Sequence, residues 1–240
     1  MPVAPITAVL VHSPFLGPAT LRPLADELAT LGLPTVLLDL QPSVAAPPVH
    51  QRMIGAFADA VSDTVLEEPT MTTGPLMLIG HSAAGPLLPA FADDLEGEVH
   101  GLLYLDADLP TPGQSWRDTV APERYAEFRD RSRDGLLPRW TQWSDDDPLV
   151  PVTDPVLRAD ITDEAPEVPL AFLKETRPVV DWSGPSGYVA LSAEHRADAV
   201  KAGADGWPVR ELDLHHLACA TDPEPVARAV LEVLLALRGE

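Results

Sequence analysis

The stretch Leu76-Met77-Leu78-Ile79-Gly80-His81-Ser82-Ala83-Ala84-Gly85 decides how this chain is read. It opens on a short unbroken apolar run, the mark of a strand buried on both faces. It then turns through a serine into small residues, where a helix is expected to begin. A serine in such a turn is lifted above the sheet, and the residues two before and two after it must be small so that strand and helix can approach. Gly80 and Ala84 meet that requirement, with alanine standing where the strict pattern has glycine. Pro86 and Pro89 remove two N–H donors from the early helix and predict an irregular entry.

Outward from this stretch, further Val-, Ile- and Leu-rich runs read as buried strands: Ile6 to Val11, Thr35 to Leu40, Val99 to Leu105, Tyr188 to Leu191 and Val209 to Leu214. Pro5, Pro34, Pro75 and Pro208 stand directly before strands, where a missing N–H costs no interior ladder bond. Helical spacing appears between the runs, at Ala19 to Leu31, Gln51 to Leu66 and Glu224 to Leu237. Strands alternating with helices imply an α/β chain: a mostly parallel, doubly wound sheet of about six strands with helices on both faces. The alternation fails between Pro110 and Pro185, which holds eleven of the 27 prolines. A structureless loop of that length is improbable in a compact domain, so residues 110–185 read as an inserted cap on a core of residues 1–109 and 186–240. Short helices are expected in it at Pro122 to Arg133 and Pro169 to Thr176.

A serine hydroxyl is a poor nucleophile until a base takes its proton, so a histidine must meet Ser82 in space. Leu212-Asp213-Leu214-His215-His216-Leu217-Ala218-Cys219 closes a strand before the last helix, and its distance from that helix favours His216 over His215. The backbone N–H of Ala83 is the natural first donor to an oxyanion, with a second from the loop after the first strand.

With these residues in view the chain resembles the α/β-hydrolase fold superfamily over nearly its whole length, as a compact esterase-like member. The likeness rests on the strand ending Val11-His12, the Gly80-His81-Ser82-Ala83-Ala84-Gly85 turn, the strand ending Leu105-Asp106-Ala107-Asp108, the cap and the late His216. It implies a catalytic triad of Ser82, an acid and His216. The superfamily usually takes its acid from the loop after the strand at Tyr188 to Leu191, which here reads Ser192-Ala193-Glu194-His195-Arg196 with a histidine where the aspartate is expected. A minority take it one strand earlier, which is Asp106 here. Asp106 is therefore the first candidate and Glu194 the alternative. The loop His12-Ser13-Pro14-Phe15 departs from the usual His-Gly, and Pro14 has no N–H to give, which leaves Phe15, or else Ser13, as the second oxyanion donor. His12, Trp116, Trp140 and Trp143 are expected around the substrate; the aromatic residues also suit packing of the cap on the sheet.

The expected activity is a serine hydrolase that cleaves an ester or thioester of a largely apolar small molecule. One alternative keeps the fold for acid–base chemistry, a lyase, C–C hydrolase or cyclase that forms no acyl-enzyme. Another is a ligand-binding pseudoenzyme without catalysis. No cofactor or metal is called for, since no Cys/His spacing of zinc-site type is present. Composition narrows the partners. With 37 Asp+Glu against 16 Lys+Arg the net charge is −21, which argues against nucleic acid or an anionic membrane and favours neutral substrates. A single cysteine, Cys219, suits a reducing compartment. The apolar run at the N-terminus lacks a preceding positive charge, and no stretch reaches the ~18 apolar residues of a membrane span. A cytoplasmic location is expected; the oligomeric state is left open.

Overall fold

The computed structural model describes residues 6–67, 74–95 and 99–238. Pro5 lies outside them. Six parallel strands form one sheet: β1 (Thr7–Val11), β2 (Thr35–Leu37), β3 (Leu76–His81), β4 (Val99–Leu105), and, after the segment 110–185, β7 (Ser186–Ala190) and β8 (Val209–Glu211). Their order is β2-β1-β3-β4-β7-β8. The two short strands β5 (Leu136–Leu137) and β6 (Val168–Pro169) pair antiparallel to each other within the segment between β4 and β7.

The inner strands β1, β3, β4 and β7 form where they do because each buries both of its faces along most of its length, whereas the edge strands β2 and β8 are half-buried to exposed. Side chains alternate across a strand, and here each set meets its own apolar layer. Val9, Leu78, Leu102 and Tyr188 pack on one side, while Leu10, Ile79, Leu103 and Val189 pack on the other. The first layer is covered by α2 (Val49–Glu67), α3 (Leu88–Asp93) and α7 (Arg196–Ala204), the second by α1 (Arg22–Thr30), α8 (Ala218–Thr221) and α9 (Pro223–Arg238). In α2 the buried residues Val49, Met53, Phe57 and Val61 recur every four positions, and in α9 Val226, Val230, Val233 and Leu234 make a similar stripe. Each such side chain contributes about 1.5–3 kcal/mol on burial.

The entry prolines keep a place in the ladder through their carbonyls. Pro34 O accepts from Ala8 N (2.8 Å), Pro75 O from Thr7 N (3.2 Å) and Pro208 O from Tyr188 N (3.0 Å). Two strands end earlier than their apolar runs. Beyond β2, Leu38 and Leu40 are buried without being strand, and Leu40 N donates instead to His12 Nε2 at 3.0 Å. Beyond β8, Leu212 N and Leu214 N still reach Ala190 O and Leu191 O (2.8 and 2.9 Å), so this segment follows β7 up to the residues before His216.

Between β4 and β7 lie α4 (Trp116–Thr119), α5 (Pro122–Arg131) and α6 (Pro155–Glu164). Ser115 and Asp118 form a capping box on α4, and the Asp154 carboxylate caps α6 by accepting from Val156 N at 2.9 Å. The stretch expected as a helix from Pro169 is a 3₁₀ turn at Leu170–Lys174. The carboxylate of Glu175, just past it, accepts from Val49 N and His50 N (2.8 and 2.9 Å), satisfying free N–H groups at the start of α2.

Candidate active site

The candidate residues gather at the C-terminal ends of the parallel strands, where β1 and β3 leave the sheet in different directions and open a crevice. Ser82 follows β3 directly with φ of +58°, and Asp106 follows β4 with φ of +44°. Left-handed backbone is strained for side chains of this kind. Among the described non-glycine residues only Asp134 shares it. The small residues around Ser82 have concrete neighbours. A Cβ on Gly80 would lie 2.9 Å from Leu88 Cγ, and one on Gly85 only 2.5 Å from the Asp108 carbonyl. The helix entry is irregular: Ser82–Leu87 is a 3₁₀ helix that contains Pro86, and α3 starts only at Leu88.

His216 Nε2 lies 3.0 Å from Ser82 Oγ, and His216 Nδ1 lies 2.7 Å from Asp106 Oδ2. Asp106 is fully buried. Its Oδ1 accepts from Leu191 N (2.7 Å) and Ser192 N (2.9 Å), and its Oδ2 also accepts from Ser192 Oγ at 2.8 Å. Burial works to raise the Asp106 pKa. The His216 hydrogen bond and charge, His195 and the Leu191 N–H outweigh it and hold the carboxyl well below the ordinary range. Glu194 lines the same cleft but makes no ion pair with His216. The loop after β7 thus contributes N–H and O–H donors to an acid supplied by the neighbouring strand.

Three features of this site were not anticipated from the sequence. The rings of His81 and His195 lie nearly parallel to that of His216, with centroids 4.6 and 5.4 Å away. His81 is fully buried, and its Nε2 sits 3.1 Å from the His216 carbonyl. Tyr188 fixes the chain just after Asp106, because its hydroxyl donates to Ala107 O (2.6 Å) and accepts from Ala107 N (3.2 Å). Its place in a strand gave no sign of that role.

A cleft of about 840 Å³ opens over Ser82 and His216, walled by Ser13, Phe15 and Ala83 on the sheet side and by Trp116, Trp140 and Trp143 on the other. The aromatic residues are placed in two ways. They line the cleft, and they pack edge to face, Phe15 on Trp143 at 4.7 Å and Phe128 on Trp143 at 4.5 Å. His12, expected in the pocket, does not line it. It is wholly buried, with Nδ1 2.8 Å from Ser13 O and Nε2 accepting from Leu40 N, and so ties the loop after β1 to the one after β2. Pro14 sits in a turn closed by Leu16 N donating to Ser13 O (3.0 Å), and Phe15 N makes only a long contact of 3.3 Å to Ser13 Oγ. Ala83 N is in the first turn of its helix, where N–H groups have no intrahelical partner.

Two groups of side chains bring possible metal ligands within 4.8 Å of one another: Asp106, His195 and His216, and Asp108, His195 and Asp198. In the first, Asp106 and His216 already bond each other. In the second, Asp198 carries Lys201 Nζ at 3.1 Å, so part of its charge is already answered. A separate open groove of about 600 Å³ lies at the start of α2, lined by Pro48, His50, Ile54 and Glu175, and holds none of the candidate residues. Among the described residues no helix is long and apolar enough to cross a membrane.

Comparison with known proteins agrees on the fold. No protein-family model and no curated protein sequence matches the chain. Among solved structures, an extracellular α/β-hydrolase from a Paenibacillus species, described as sharing structural and functional homology with tobacco salicylic acid binding protein 2, is similar with a TM-score of 0.72 at 18% identity, covering 95% of this chain and 99% of that one. A pyrethroid hydrolase from Sphingobium faniae gives 0.63 at 18% identity over 98% and 100%. A methylesterase from Arabidopsis gives 0.60 at 14% identity over 95% and 98%. The chain has the α/β-hydrolase fold.

Proposed function

We propose that the chain is a serine hydrolase that cleaves a carboxylic ester, or a thioester, of a small molecule. The observation that carries this reading is the continuous relay Ser82 Oγ, His216 Nε2, His216 Nδ1, Asp106 Oδ2, at 3.0 and 2.7 Å. The similar solved structures, several of them named as hydrolases or esterases, support the same reaction class.

In this reading His216 takes the proton from Ser82 as the hydroxyl attacks the carbonyl carbon, and then gives it to the departing alkoxide or thiolate. Asp106 stays ionised. It holds the Nδ1–H tautomer and steadies the imidazolium that forms, a role for which its low pKa suits it. The oxyanion is met by Ala83 N–H and, from the turn after β1, by Phe15 N–H, whose existing contact to Ser13 is long enough to be exchanged. Water then attacks the acyl-Ser82 ester by the same route in reverse. The loop after β7 gives its N–H and O–H donors to Asp106, which supports a working triad over the pseudoenzyme alternative.

The test is hydrolysis of p-nitrophenyl esters. Wild type should turn them over, and Ser82→Ala should lose kcat by at least about 10³-fold. Equal turnover by Ser82→Ala, or none by wild type across short and medium acyl chains, overturns the reading.

A further inference from the structure

Three cationic side chains line the cleft over Ser82: Arg124, Lys201 and Arg177. Arg124 is paired with Glu127 at 3.1 Å and Lys201 with Asp198 at 3.1 Å. Arg177 differs from both. It is only 7% exposed, yet no carboxylate of the described residues comes within 4.0 Å of its guanidinium. Its side chain donates to the neutral hydroxyl of Thr111. The acid two residues before it, Glu175, is committed to the start of α2 and lies 3.7 Å from His50 Nδ1. Asp108, which acts on Arg177 through its charge from farther off, makes its ion-pair contact with His195 instead, at 4.0 Å.

A buried charge is costly unless paired, and a guanidinium does not escape the cost by giving up its proton. Arg177 is also held in place. Its N–H donates to Gln114 O (3.0 Å) and its carbonyl accepts from Gly113 N (3.2 Å), so its backbone is clipped to the loop that leaves β4. Its position bridges the cleft and a small cavity of about 20 Å³ bounded by Phe15, Ala83, Trp116 and Phe172, next to the Ala83 backbone. That void is too small for an acid group, which leaves the cleft itself as the place where a counter-ion would sit.

We propose that Arg177 is the anchor for a carboxylate on the substrate, so that the ester this chain prefers carries a second, ionised acid group on its acyl or its alcohol part. The inference rests on the esterase reading and narrows it. The fork of a guanidinium matches the two oxygens of a carboxylate, and the aromatic wall takes the carbon chain between the two ends. The molecule is acidic, and Asp108, Glu194, Asp198 and Asp205 line the same cleft. But Asp108 and Asp198 face His195 at 4.0 and 3.9 Å and Asp198 also holds Lys201 at 3.1 Å, and a desolvated guanidinium at contact distance acts more strongly on a bound carboxylate than charges that solvent and salt screen.

The test compares two series of substrates at low ionic strength. In one, monoethyl esters of the four- to eight-carbon dicarboxylic acids are set against neutral ethyl esters of the same chain length. In the other, O-acetyl hydroxy acids are set against the corresponding alkyl acetates. Wild type should prefer the anionic member in one series by on the order of 10- to 100-fold in kcat/KM, through KM more than kcat. Added salt should erode that preference, and Arg177→Gln should bring the ratio toward one, while Arg177→Lys keeps part of it. No anionic preference in either series, or a ratio that Arg177→Gln leaves as it was, overturns the proposal, and wild type alone decides if that variant does not fold. Calorimetry separates this failure from failure of the esterase reading. Ser82→Ala should bind adipate and not its neutral diamide, and the Ser82→Ala, Arg177→Gln double variant should bind neither. Arg177-dependent adipate binding without any ester turnover leaves the anchor standing and removes the esterase; ester turnover with no Arg177 effect removes only the anchor.

Discussion

Four hydrogen bonds converge on the Asp106 carboxylate, two of them from backbone N–H groups of the adjoining strand end. Burying an ion costs several kcal/mol, and bonds to a charged acceptor return about 1.5–3 kcal/mol each, so only a fully satisfied carboxylate is tolerable at this position. Glu194 has no such set. Asp106→Asn should therefore lower kcat by about 10³- to 10⁴-fold with little change in KM, because the amide favours the wrong His216 tautomer. Glu194→Gln should stay within about threefold of wild type. Steady-state kinetics on a p-nitrophenyl ester reads both, and the reverse ranking would move the acid to Glu194. Ser82 and His216 were legible because the chemistry needs them beside recognisable strand ends. His12 was misread, because an apolar run ending in histidine looks the same whether the ring faces a cleft or bonds a neighbouring loop.

The strand-to-helix turn after β3 depends on close packing that differs between its two glycines. At Gly80 an added methyl meets the far end of Leu88, which can move aside. At Gly85 it meets the Asp108 carbonyl at 2.5 Å and Ala107 Cβ at 2.8 Å, and neither can yield without shifting the segment that carries Asp106. Gly85→Ala should thus cost about 1–3 kcal/mol, and Gly80→Ala less, as read from urea denaturation midpoints. The order reversed would mean that the turn is not held by contact with the loop after β4. At this scale the sheet was readable, since strands buried on both faces leave apolar runs and their prolines mark the entries. Strand ends were not, because loop residues such as Leu38 and Leu40 are buried as deeply as strand residues. In the segment between β4 and β7 the helix expected from Pro122 is present as α5, whereas α4, the 3₁₀ turns and the β5–β6 pair are too brief to show a period.

For the molecule as a whole, acid is the weak side. His81 is kept neutral by burial first and by His216 second, against the pull of Asp106, with its pKa lowered to about 3. Burial lowers His12 and His50 as well. In the unfolded chain these rings protonate near pH 6.5, so below about that pH the unfolded state binds more protons and stability falls. Asp106 adds to the loss below about pH 4, where its unfolded carboxylate takes a proton that the folded one refuses. His195 opposes them. Burial lowers its pKa, but Asp198, Asp106 and Asp108 raise it more, so its contribution is full below about pH 6.5 and fades as pH rises through its folded value. Approach to the pI near 4.5 also relieves repulsion among the surface carboxylates. In 0.5 M NaCl, where that repulsion is screened, the urea midpoint should fall between pH 7 and pH 4.5, and His81→Gln should flatten the fall. A wild-type midpoint that is level or rises toward acid would contradict this balance.

Ser82 should become covalently modified with His216 as its base. Treating the protein with a fluorophosphonate and mapping the adduct by peptide mass spectrometry tests it most directly. One adduct is expected, on the peptide that carries Ser82, absent from Ser82→Ala and formed much more slowly in His216→Ala. Labelling that persists undiminished in Ser82→Ala would contradict it.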